Sequence, residues 1–163
     1  MIVVSNSSVI NHLAAVGQLH LLKALYGSII IPEAVYKELT ENGTALPGCK
    51  EVQTYHWIKW REAVDRHIVI SLAFRLNEAD AEAIALAIEL NADWVLIDEH
   101  RSKTVLNKGI KRAGVLAILI AAKERGLIPL VKPVMDLLIA QTGFWVSSSL
   151  YSRILEEAGE INL

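Results

Sequence analysis

The sequence predicts an α/β protein: a three-layer α/β/α sandwich with a mostly parallel central sheet. Three observations lead there. Short apolar runs, at residues 2 to 4, 28 to 31 and 94 to 97, are continuous rather than alternating, as strands buried on both faces are. Segments between them carry apolar residues at helical spacing. The order is strand, helix, strand, helix, which places helices on both faces of a parallel sheet. At 163 residues and 53% hydrophobic, the chain has the size and apolar content of one compact domain spanning 1–163, with closing helices from about residue 129.

Each element has a local reason. Ile2-Val3-Val4 ends at Ser5-Asn6-Ser7-Ser8, a turn rich in N-cap residues, and Val9, Ile10, Leu13 and Val16 then recur at helical spacing up to Gly17. A second helix runs from Leu19 to Leu25. Ser28 to Ile31 is a β-branched run, and Pro32 suits the first position of a helix over 33 to 40. Residues 41 to 50 read as a loop, 51 to 67 are weakly patterned around Trp57 and Trp60, and Ile68 to Leu72 reads as a third strand. Asn77 caps a helix from Glu78 to Leu90, with Asp80 near the capping-box position. After the turn Asn91-Ala92-Asp93 comes the apolar strand 94 to 97, ending at Asp98, then a helix from about Glu99 to Asn107. Ile110 to Val115 supplies a last short strand, and helices follow over 116 to 125, 129 to 141 and 148 to 157.

Composition excludes several classes. No apolar run reaches the roughly 20 residues that a bilayer span needs, so no membrane association is expected. The start, MIVVSNSS, has no basic segment and no long apolar core, which points to the cytoplasm rather than secretion. The single cysteine, Cys49, makes neither an internal disulfide nor a zinc motif. A net charge of -2 is not that of a protein gripping nucleic acid over its whole surface. The local basic cluster is Arg101, Lys103, Lys108, Lys111 and Arg112, which a solvated helix face explains equally well.

In a parallel sheet, ligands collect beyond the carboxyl ends of the strands where strand order reverses. Asn6 and Ser8 follow the first strand and Asp98 follows the strand 94 to 97; if those strands are neighbours, their ends face one pocket, to which nearby helices add Glu38 and Glu82. Glu78, Glu82 and Glu89 share a helical face that cannot be all core. Capping is the structural alternative for Asp80 and Asp98.

VVSNSSVI at 3 to 10, IPEAVYKEL at 31 to 39, EADAEAIALAIELNADWVLIDE at 78 to 99 and AGVLAILIAAKERGLIP at 113 to 129 together resemble a PIN-like domain subfamily over nearly the whole chain. The resemblance implies a carboxylate cluster that holds Mg²⁺ or Mn²⁺ and cleaves RNA, commonly as the toxin of a toxin–antitoxin pair, with an antitoxin protein and a second copy of the chain as partners. By motif, Glu38, Glu82 and Asp98 match catalytic acidic positions and, with Asp80, metal ligands; Ser8 matches the hydroxyl beside the first acid. The chemistry is coherent, because hard divalent ions take oxygen ligands, acidify water and stabilise charge on phosphate.

The departure is Asn6, where the family pattern has Asp. An amide still offers a carbonyl oxygen, but it binds a divalent ion less well and cannot act as a base. A weakened or inactive natural member, a member working with its remaining acids, and a substitution made to tame a toxin are all consistent with it. Two other functions stay open: a non-catalytic protein-binding module of the same fold, and a nucleotide-binding or phosphoacceptor domain. The latter lacks a glycine-rich phosphate loop after the first strand.

Overall fold

The computed structural model describes residues 1–41, 46–98 and 109–161. Its five strands, β1 (Val3–Ser5), β2 (Ile29–Pro32), β3 (Ile58–Arg61), β4 (Trp94–Leu96) and β5 (Lys111–Ala113), form one sheet in the order β3-β2-β1-β4-β5. Every pairing is parallel, so the mostly parallel α/β/α sandwich expected from the sequence is present. β1 and β4 lie side by side, with Val3 opposite Trp94 and Ser5 opposite Leu96. The chain moves outward in one direction from β1 and in the other from β4, so the order reverses between these two strands.

The strands are apolar on both sides because both sides are covered. Val3 and Leu96 face one core with Ile10, Leu22, Ile118 and Met135, while Val4, Val95 and Ile97 face the other with Val69, Leu72, Ile84 and Leu86. The first layer holds α1 (Ser7–Ala15), α2 (His20–Tyr26), α7 (Val115–Glu124), α8 (Lys132–Thr142) and α9 (Ser148–Glu157). The second holds α5 (Arg66–Ala73) and α6 (Glu78–Glu89); α3 (Glu33–Glu41) and α4 (Cys49–Thr54) carry the chain between β2 and β3. Among the described residues no helix is long and apolar enough to cross a membrane.

Three expectations are corrected. Residues 68 to 72 are not a strand but the middle of α5, and the third strand is Ile58–Arg61 in the weakly patterned segment. Asp65 caps α5, its carboxylate accepting from the Ile68 amide at 3.4 Å, and Glu89 accepts from the Val64 and Asp65 amides at 3.0 and 3.1 Å. Val69 and Leu72 are then buried three residues apart while Ile70 is exposed, a helical rather than a strand pattern. The helix expected from residue 129 begins at Lys132. Cys49 is not a loop residue but is buried as the first residue of α4. The helix expected from Glu99 to Asn107 lies outside the described residues.

Candidate active site

The site grows from the carboxyl end of β1. Asn6 is 2% exposed and held from both sides: its backbone N–H donates to the Leu96 carbonyl of β4 at 3.0 Å, and it is the N-cap of α1. Its Oδ1 accepts from the Val9 amide at 3.1 Å, and its Nδ2 donates to Asp80 Oδ1 at 2.9 Å. Those two partners fix the amide's orientation, since an N–H needs the oxygen and a carboxylate needs the nitrogen. Asp80, itself buried on the first turn of α6, is placed by Asn77, whose side chain accepts from the Asp80 amide at 2.8 Å.

The neighbouring hydroxyl, Ser7 Oγ, donates to Glu38 Oε2 at 2.9 Å, drawing α3 against the first turn of α1. Ser8 lines the adjoining hollow of about 220 Å³ with Ser7, Asn11 and Glu38. Glu38 also borders a larger open cleft of about 490 Å³ between α3 and the start of α6, with Lys37, Glu41, Asn77 and Glu78 around it. Glu38 is therefore the acid shared by both hollows.

Glu82 lies 5% exposed on α6, while Glu78 and Glu89 on the same helix are exposed. Its Oε1 accepts from Arg66 Nη1 at 2.8 Å and its Oε2 from the Ala34 amide at 3.3 Å, in the first turn of α3, where an anion suits the free N–H groups. Asp98 stands just past β4, and its Oδ1 accepts from the Val115 amide at 2.9 Å, the first residue of α7. Capping does occur here, but of the helix after β5. The close approach is possible because residue 114 is Gly: a Cβ there would overlap Asp98 Oδ1. His12, one turn above Ser8 on α1, packs edge-on against Phe144 with ring centres 5.2 Å apart. Burial lowers its pKa, and the nearby negative charge of Asp98 partly offsets that.

Asn6 and Asp98 thus follow the adjacent strands β1 and β4, Asp80 touches Asn6, Glu38 touches Ser7, Glu82 lies between α6 and α3, and Ser8 lines the hollow beside Glu38. Sequence reasoning missed Ser7, Arg66, His12 and Gly114. Ser7 and His12 had a signal in the α1 helical register once Asn6 is taken as its cap; Arg66 had none, because its partner is in a different helix. Of the basic cluster, Arg101, Lys103 and Lys108 lie outside the described residues, and Lys111 sits over the Trp94 ring at 5.4 Å.

In chemistry the carboxylates suit a hard divalent ion. In placement they do not yet form a cage: among the described residues no three His, Cys, Asp or Glu side chains are grouped as a metal site. Each acid instead accepts from a donor of the protein.

A doubly covered parallel sheet with acidic groups at the reversal of strand order defines a class of α/β proteins whose site lies at that reversal. Within that class the chain belongs to the PIN-domain family: the family model DUF3368, a PIN domain, matches residues 2–160. No curated protein and no solved structure matches the chain.

Proposed function

We propose that this chain is a metal-dependent ribonuclease of PIN type, the toxin component of a toxin–antitoxin pair, with activity lowered by Asn6. The observation that carries the reading is the convergence on two consecutive residues: Asn6 touches Asp80 and Ser7 touches Glu38, beside the β4 end that bears Asp98. Asp98, Asp80 and Glu38, with Glu82 behind them, would hold Mg²⁺ or Mn²⁺, with water completing the oxygen ligands. Such an ion supplies an acidified water and charge stabilisation at a phosphodiester.

The protein's own groups do the positioning. The Val115 amide fixes one Asp98 oxygen and leaves the carboxylate at the sheet edge. Ser7 orients Glu38 toward the cleft, and Arg66 with the Ala34 amide gives each oxygen of the buried Glu82 a partner. The cleft between α3 and α6 is open to a chain-like substrate. The partners of this reading are RNA, an antitoxin protein and a second copy of the chain.

The test incubates the chain, Asn6→Asp and Asp98→Asn with a mixed structured RNA pool in Mn²⁺, Mg²⁺ or EDTA. Cleavage dependent on metal and abolished in Asp98→Asn is the expected result, with faster cleavage by Asn6→Asp. Absence of cleavage and of Mn²⁺ binding in all three folded proteins would end the nuclease reading. The second reading, a non-catalytic PIN-like binding module, draws on one feature: Asn6 turns an N–H, not an oxygen, toward Asp80.

A further inference from the structure

The segment Tyr55 to Arg61, YHWIKWR, interleaves three aromatic rings with His56, Lys59 and Arg61 and contains no acid. The reading above leaves it without a role. It covers the approach to β3 and β3 itself, which is the outermost strand of the sheet. Ile58 is buried at 6% exposure and anchors the strand; Lys59, Trp60 and Arg61 are all exposed.

Each exposed ring packs against another ring. Trp60, 51% exposed, stacks on Tyr36 of α3 with ring centres 5.6 Å apart and planes at 29°. Tyr55, 43% exposed, stacks on Trp57 at 5.7 Å and 27°. In each pair one ring supports the other from one face, which fixes the outer ring.

Edge protection accounts for part of this. Charged side chains on an outer strand, lysine above all, discourage pairing with another sheet. That explains Lys59 and Arg61 and does not explain two supported, solvent-facing rings, Tyr55 and Trp60, in the same segment. Stacked aromatics alternating with cations are how proteins hold single-stranded nucleic acid, bases on rings and phosphates on cations. Charge points the same way. The chain is net -2 and its cleft is lined by Glu38, Glu41 and Glu78 against one cation, Lys37, so the balance there disfavours phosphates and a grip elsewhere helps to hold them.

We infer that the β3 edge, centred on the Trp60–Tyr36 stack and flanked by Lys59 and Arg61, is a docking platform for single-stranded RNA that leads to the acidic cleft. Its position fits. β3 runs parallel to β2 with Arg61 opposite Pro32, so it ends at the same edge of the sheet as β1 and β4. Tyr36 belongs to α3, the helix that forms one wall of the cleft. The inference rests on RNA being the substrate; its test is made independent of cleavage.

The experiment measures fluorescence anisotropy of a short fluorescein-labelled single-stranded RNA with the full chain in EDTA, across a series of KCl concentrations, against a duplex of equal length. The chain is expected to bind the single strand in preference to the duplex. Trp60→Ala is expected to weaken binding roughly 10-fold, with Trp60→Phe retaining most of it. Lys59→Ala with Arg61→Ala should reduce the slope of log affinity against log salt by about 1.4, two phosphate contacts on a single strand. Trp145→Ala, at another exposed ring, should change neither. Equal affinity of the chain and the β3 variants, no preference for single strands, or a dimer that dissociates in Trp60→Ala while RNA affinity is unchanged would each overturn the platform. Cleavage lost in every variant while binding still follows Trp60 would sink the nuclease reading and leave the platform standing. Cleavage intact with affinity indifferent to Trp60 would do the reverse.

Discussion

At the scale of single residues the site turns on Asn6, whose amide is satisfied at both ends. Asn6→Asp keeps an oxygen for the Val9 amide, since Asp is as good an N-cap as Asn. It replaces the N–H toward Asp80 with a second carboxylate, so two like charges face each other where a hydrogen bond had been. The variant in EDTA is expected to lose about 1–3 kcal/mol of stability at neutral pH, read by urea unfolding; an unchanged midpoint would mean that the Asn6–Asp80 bond contributes nothing. Gly114→Ala probes the opposite side of the site. Its φ of -92° is open to any residue, so the constraint is one of space: the new methyl group takes the place of Asp98 Oδ1. Asp98 must move or α7 must shift, which should cost about 1–3 kcal/mol, as overpacking does, with Asp98→Asn plus Gly114→Ala less than additive because one contact is lost twice. Strictly additive losses would show that the two residues do not meet. Asp98 and Asp80 were legible in sequence because a strand end and a cap fix where they stand. Arg66 and Gly114 were not, because their partners lie 16 residues away and depend on how helices rotate against the sheet.

Elements were legible where one period dominates. α6, rich in Ala behind Asn77, and β4, within the apolar run 94 to 97 before Asp98, have no competing pattern. α5 failed because Ile68-Val69-Ile70 favours a strand locally, while Asp65 and Glu89 cap it as a helix and the α6 surface buries Val69 and Leu72. The chain end hid a similar long-range effect: Glu160 is 1% exposed and its carboxylate accepts from the Val131 and Lys132 amides at 2.7 and 2.9 Å and from Lys123 Nζ at 3.1 Å. It closes the start of α8 against α7 and supplies the acceptor that the helix's first turn lacks. Burial alone would raise the Glu160 pKa, but the two amides and Lys123 outweigh it and hold the carboxyl below its usual value. The sign follows from linkage. A lowered folded pKa contributes stability that is present above the unfolded value, about 4.3, and is lost as pH falls through the folded one. Glu160→Gln should cost about 1–3 kcal/mol at pH 7, with a flatter decline of the urea midpoint in acid than the parent chain. An identical acid decline in both proteins would show that Glu160 is not a source of it.

For the whole molecule, strand order does what no residue does alone. β1 and β4 are 89 residues apart in numbering, from Ser5 to Trp94, yet adjacent in the sheet, and this brings Asn6 and Asp98 to one edge. The continuous apolar strands made that arrangement readable as a class, whereas the adjacency of β1 and β4 followed only from the resemblance and from the rule for strand reversal. On the proposed reading, metal binding would be a property of the folded state, because the unfolded chain scatters the acids. A ligand that binds only the folded protein raises its stability by RT ln(1 + [L]/Kd), about 2.7 kcal/mol at a hundred times Kd. Mn²⁺ added in a thermal unfolding series should therefore raise the midpoint of the parent chain in a saturable way. Asn6→Asp, with one more negative ligand, should start lower in EDTA and gain more, and Asp98→Asn should gain least. The ranking is the informative quantity, since any surface carboxylates contribute equally to all three proteins. Equal gains in all three would mean that Mn²⁺ binds elsewhere, and a larger gain in the parent than in Asn6→Asp would mean that the amide is the better ligand after all.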